Sequence, residues 1–132
     1  LLEVMRVAGF AEVVGPGILI EARPSNPRQA ESSFISYDLR DIVNELFAAG
    51  ASAVEVGGQR IVATSSVRAA GPQVLVDQRP INLDPIVIKA VGDPEVLSSS
   101  LDLIRNAPYF GLDLKIERRS SVVVTAHRGK WR

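Results

Sequence analysis

Glycine and proline punctuation limits this chain more than any other feature. Gly15-Pro16-Gly17, Gly57-Gly58, Gly71-Pro72 and Gly92-Asp93-Pro94 cut the 132 residues into short pieces. Both residue types weaken the interiors of helices and strands. Two of the intervening pieces carry helical spacing, and the others are short β-prone runs.

In the first helical piece Leu39, Ile42, Val43, Leu46 and Phe47 recur at i, i+3, i+4, i+7 and i+8, one broad apolar stripe. Asp38 is the expected cap, Asp41 adds negative charge near that end, and Gly50 is placed to stop the helix in the left-handed conformation. The second begins at Asp93-Pro94-Glu95, with Asp93 as cap and Pro94 in the first turn. It buries Val96, Leu97, Leu101 and Ile104 and is bounded by Pro108.

Strands are expected at Ala11–Val14 and Ile18–Ala22, separated by the Gly-Pro-Gly turn. Ala53–Val56 and the run from Arg60 flank Gly57-Gly58, a type I′ hairpin signal because both central positions need positive φ. Gln73–Val76 and Arg79–Ile81 form a second, inserted hairpin around Asp77-Gln78, kept off the sheet centre by Pro72 and Pro80. Ile86–Val91 is a further strand, and Leu112–Arg118 and Ser121–Ala126 are two more, joined at Arg119-Ser120. Arg23–Ser36 reads as a serine- and proline-rich loop, an arm able to order on a partner. The order predicts an α+β, ferredoxin-like α/β sandwich: a mostly antiparallel sheet covered by two helices, with an inserted hairpin. A doubly wound parallel sheet needs more strand–helix–strand units than two helices supply.

Residues 1–10 read as the end of an upstream helix or stalk, 11–126 as a single domain and 127–132 as a basic tail. Apolar residues make up 46% and charged residues 23%, so a folded core is expected. Net charge is zero, which argues against a nucleic-acid partner. The absence of cysteine excludes disulfides and thiolate zinc sites. His127 is the only histidine, read as a surface residue, and no metal-ligand spacing surrounds it. No phosphate-loop or dinucleotide motif occurs at the glycine turns, so neither cofactor nor metal is called for.

The candidate site is the stretch Gly57–Arg68. Read as one strand, it places Arg60, Val62, Thr64, Ser66 and Arg68 on one side and Ile61, Ala63, Ser65 and Val67 on the other. Arg60, Thr64, Ser66 and Arg68 would then form a polar face suited to a carboxylate-bearing or polyanionic partner. No catalytic residue is assigned, because Ser65 and Ser66 have no identifiable base and the G-x-S-x-G elbow is absent. The competing reading is a small hydrolase or ligand-binding enzyme that assembles Arg60, Arg68, Thr64, Ser65 or Ser66 with Asp93.

These residues carry a resemblance. Val14-Gly15-Pro16-Gly17, Asp41-Ile42-Val43-Asn44-Glu45-Leu46 and Ala49-Gly50-Ala51 occur in order, followed by Gly57–Arg68, Gly71-Pro72 and Val87–Pro94. In this pattern the chain resembles the bacterial YlxX/YlxW-like family (domain of unknown function 881), from about residue 11 to residue 126. Ala69-Ala70 stands where a cysteine-containing pair is more usual, and Asn82–Pro85 is less proline- and tyrosine-rich than the usual loop. The resemblance implies a membrane-anchored bacterial protein, in an actinobacterium, with this domain extracytoplasmic at the end of a helical stalk. It brings no established enzyme activity and implies a link to cell division. The residues themselves offer no catalytic constellation, an arginine-flanked polar strand and the Arg23–Ser36 arm. From these the expected function is a non-enzymatic domain with a protein or envelope-component partner, self-associating through the stalk or an exposed sheet edge.

Overall fold

A computed structural model describes residues 11–127. The stalk expected over 1–10 and the tail from 128 onward lie outside the described residues. In chain order the elements are β1 (Val13–Pro24), a 3₁₀ turn (Pro27–Ala30), α1 (Ser32–Ala48), β2 (Ala53–Val56), β3 (Gln59–Arg60), β4 (Val67–Ala70), β5 (Gln73–Val76), β6 (Arg79–Pro80), β7 (Ile86–Val91), α2 (Pro94–Arg105) and β8 (Leu112–Val124). A five-stranded antiparallel sheet runs β3-β2-β7-β1-β8, and β4-β5-β6 form a separate three-stranded sheet. The expected α+β class therefore stands, and the insertion is a three-stranded sheet rather than a hairpin.

Gly15-Pro16-Gly17 does not divide two strands. It lies inside β1, at a register shift between Gly15 and Gly17. A side chain at Gly17 would collide with the carbonyl oxygen of Ala90, so the glycine permits close strand approach, and Gly92 N–H donates to Pro16 O at 2.8 Å. The turn chemistry read there serves a bulge.

The same bulge makes β8 one strand instead of two. Gly15 faces Val122 while Gly17 faces Arg119, so β8 spends three residues where β1 spends two. One extra residue reverses side-chain parity. Leu112, Leu114 and Ile116 face the helices, whereas Val122 and Val124 join Val13, Ala53 and Val91 in a second small core on the other face. That reversal puts Leu112, Leu114 and Ile116 on one face and Val122 and Val124 on the other, although all five are even-numbered.

Helix α1 begins at Ser32, six residues before the expected cap. Ser32 Oγ donates to Gly71 O at 2.6 Å and Ser36 Oγ to Ser33 O at 2.8 Å, so the hydroxyls that made this segment look like loop are satisfied inside the fold. Asn26 caps the preceding 3₁₀ turn through Gln29 N–H. Asp38 is thus mid-helix, and its Oδ2 accepts from Gly111 N–H at 3.1 Å. Ile35, Leu39, Ile42 and Leu46 are fully buried against the sheet, each contributing roughly 1.5–3 kcal/mol relative to exposure.

The other termini match their signals. Gly50 (φ +94°) follows the end of α1, and Asp93 accepts from the Glu95 and Val96 amides at the start of α2. Gly57 and Gly58 have φ of +57° and +84°, as the I′ reading requires. Asp77 and Gln78 adopt positive φ in the β5–β6 turn.

Candidate functional site

The stretch Arg60–Arg68 is not one strand. Arg60 ends β3 on the edge of the large sheet, residues 61–66 form a connecting loop, and Arg68 lies in β4 of the small sheet. The proposed polar face is therefore divided. Arg60 is buried, at 3% exposure. Its guanidinium donates to Ala11 O at 2.9 Å and Thr125 O at 3.1 Å. In register opposite it stands Glu55, also buried, whose Oε1 accepts from Thr125 N–H and Oγ1–H, with Lys89 Nζ 3.8 Å from Oε2. Burial pushes the Arg60 guanidinium down, and the Glu55 charge works against that shift. An arginine remains protonated in either case. Arg60 thus ties the residues just before β1 and just after β8 to the sheet.

Thr64 is exposed at the tip of the loop. Ser65 and Ser66 are held from the β5–β6 turn. Ser65 Oγ accepts from Val62 N–H and donates to Asp77 Oδ2 at 2.9 Å, while Ser66 N–H donates to Asp77 Oδ1 at 3.0 Å. His127 Nε2 lies 3.0 Å from the same Oδ2. His127 is consequently packed at the small sheet rather than standing on the open surface expected of it. The order is serine–carboxylate–histidine, with Asp77 in the middle, so the Ser65 proton is directed to a carboxylate and not to an imidazole. Nucleophile activation needs the base against the hydroxyl.

A groove of about 770 Å³ opens between α1 and the 61–68 loop. Val43 and Ile61 form its apolar base with Phe47, Val62 and Val67 beside them, and Arg40, Asn44, Ser65, Ser66 and Arg68 supply polar groups. Arg60 borders it, with its guanidinium committed as described. Arg40 Nε donates to Val67 O at 2.8 Å and its guanidinium lies 5.2 Å from the centroid of the Tyr37 ring. Arg68 Nη2 donates to Gln78 Oε1. Both arginines are exposed. No aspartate or glutamate lines the groove.

Of the four residues expected to bind, Ser66 and Arg68 border this groove with part of Arg60, and Thr64 does not. Arg40, Asn44 and Phe47 were missed as a binding surface. The signal was present: three residues of α1 at helical spacing, one of them the outermost member of the apolar stripe. Asp93 lies in a different groove, between α1 and α2, with Val96 and Leu103. The constellation of the hydrolase reading is not brought together. Among the described residues, no group of three or more His, Asp or Glu is arranged to hold a metal ion. No described helix is long and apolar enough to cross a membrane.

Two helices on an antiparallel sheet, with an arginine-bordered groove beside an inserted small sheet, define an α+β domain. The chain belongs to the bacterial family of proteins of unknown function DUF881, whose pattern matches residues 1–132. It is similar to UPF0749 protein YlxW of Bacillus subtilis (strain 168), with 45% identity over 64 residues, 47% of this chain and 26% of that protein. To UPF0749 protein Rv1823 of Mycobacterium tuberculosis (strain ATCC 25618 / H37Rv) it is 31% identical over 134 residues, 92% of this chain. The chain spans 42% of that mycobacterial protein's length. A crystal structure of an uncharacterized conserved protein from Mycobacterium tuberculosis superposes with a TM-score of 0.83 at 24% identity, over 99% of this chain and 93% of the other. That likeness shows a shared fold.

Proposed function

We propose that this is a non-enzymatic interaction domain whose groove between α1 and the 61–68 loop receives a partner protein segment. That segment carries a carboxylate beside a bulky apolar side chain. One observation carries the reading: two exposed arginines border an apolar trough that has no acidic lining residue. Guanidinium forks pair with carboxylates, while Val43, Ile61 and Phe47 offer the apolar contact that gives such pairs a desolvated setting. The strand order, two interleaved β-α-β units, supports reading the scaffold as ferredoxin-like with a small sheet inserted between β3 and β7. Family membership supports placing the domain outside the cytoplasmic membrane, tethered through a part of the protein beyond this chain; a link to cell division is part of the same proposal.

The test is recovery of crosslinked partner from native membranes by the full-length protein and by its Arg40→Glu/Arg68→Glu form. Both substitutions are on exposed side chains, and because Arg40→Glu also removes the bond to Val67 O, circular dichroism of the variant checks that it is folded. A partner lost with the variant supports the groove; equal recovery removes it. The substitution Arg60→Glu is unsuited to this purpose, because it breaks the buried anchor.

A second reading is a small anionic ligand. It is favoured by the groove's volume, which falls within the usual range for ligand pockets. Calorimetry with mono- and dicarboxylates separates the two readings, since the protein-segment reading predicts no measurable binding of the isolated acids.

A further inference from the structure

We infer that the outer edge of β8 is a self-complementary dimerisation strand, pairing antiparallel with β8 of a second copy of this chain about a two-fold axis at Ile116. This goes beyond the groove and does not rest on it. Strand β8 ends the sheet order, and among the described residues no strand pairs with its outer edge. Ser25 N–H donates to Gly111 O, in the same register as Pro24 opposite Leu112. Hydrogen-bonded pairs recur at every second residue. Asp113, Lys115 and Glu117 therefore bond inward to β1, and Leu112, Leu114, Ile116 and Arg118 present their amides and carbonyls outward. The Leu114 carbonyl confirms that direction, since its oxygen accepts from Arg105 Nη1 of α2 at 3.3 Å.

On the face away from the helices, the exposed residues of this edge read Asp113, Lys115, Glu117, Arg119: minus, plus, minus, plus. Pairing about Ile116 sets Asp113 opposite Arg119 of the second copy and Lys115 opposite its Glu117, each pair occurring twice. A one-residue shift of the pairing centre loses this match. Lysine-only edges repel a copy of themselves; this alternation does the reverse in one register. Within one copy, Arg119 now pairs with Glu117 at 3.1 Å, a surface contact easily exchanged. On the helix face, half-buried Ile116 would meet its own counterpart, covering apolar surface already packed on the core. The bulge beyond Arg119 marks where the ladder ends.

Sedimentation equilibrium of the 132-residue chain at low salt tests this, with circular dichroism confirming that each variant is folded. The wild type is expected to form a reversible dimer. K115E puts like charges opposite each other twice and is expected to weaken it about tenfold or more. K115E/E117K restores opposite charges in the same register and is expected to recover dimerisation to within about threefold of wild type. Amide exchange at Ile116 is expected to slow as concentration rises. A wild type that stays monomeric at every soluble concentration would overturn the assignment. So would a dimer indifferent to K115E, a double variant no better than the single one, or Ile116 exchange independent of concentration.

Discussion

Asp38 shows how one buried carboxyl shapes the stability of the domain. Burial pushes its pKa up, the Gly111 N–H bond opposes that shift, and the Asp41 charge adds to it; the net direction is upward from 3.8. A raised pKa in the fold means that the protonated form is favoured there. The stability linked to this group is complete below the unfolded-state value and is lost as pH rises through the folded-state value. Asp38→Asn keeps an acceptor for Gly111 and carries no charge. Its thermal midpoint should exceed that of the wild type at neutral pH and converge with it under acid conditions. Asp38→Ala leaves the Gly111 amide without its partner and should cost about 1–3 kcal/mol; an Asn variant as damaged as Ala would refute the pH account. Arg60→Met removes the bonds to the Ala11 and Thr125 carbonyls and the charge facing buried Glu55, for an expected loss of about 2–4 kcal/mol in urea unfolding. Arg68→Glu, on an exposed side chain, should change stability by less than about 0.5 kcal/mol.

At the scale of elements, the 61–66 loop is held at Ser65 and at the Ser66 amide by the Asp77 carboxylate, which reaches across from the β5–β6 turn. Asp77→Ala should accelerate amide exchange at Ser66 while leaving the β1–β7 ladder protected; uniform acceleration would mean that the small sheet and the core open together. In β1, Gly17→Ala should cost about 1–3 kcal/mol through the clash with Ala90 O. The elements most legible in the sequence were those whose signals are local: Asp93-Pro94 opening α2, Gly50 closing α1, and Gly57-Gly58 turning β2 into β3. Those that were misread depend on distant partners. The serines of early α1 look like loop until Gly71 supplies an acceptor for Ser32. The bulge in β8 is visible only against β1, because parity is a property of the pair. Arg60 and Arg68 alternate correctly for one strand, yet Asp77 draws Ser65 and Ser66 into a loop that sends the two arginines to different sheets. The site was thus half legible: Ser66 and Arg68 lay in the stretch that sequence singled out, whereas Arg40 and Asn44 arrive from a helix separated by about twenty residues of chain.

For the whole molecule, the groove and the dimerisation edge lie at opposite ends of the large sheet, beside β3 and along β8. A dimer built through β8 would leave both grooves open, so the pair would engage two partner segments at once, and avidity would exceed the affinity of either groove. K115E should accordingly leave single-site affinity unchanged while reducing retention on a surface densely coated with partner. The most direct measurement for the groove is site-specific photocrosslinking in full-length protein in native membranes, with the probe at Asn44 and a control probe at Val14, which is exposed and does not line the groove. A discrete adduct is expected from Asn44, abolished by Arg40→Glu/Arg68→Glu, and none of the same mass from Val14. Identical adducts from both positions, or an Asn44 adduct untouched by the double substitution, would contradict the groove as the partner site.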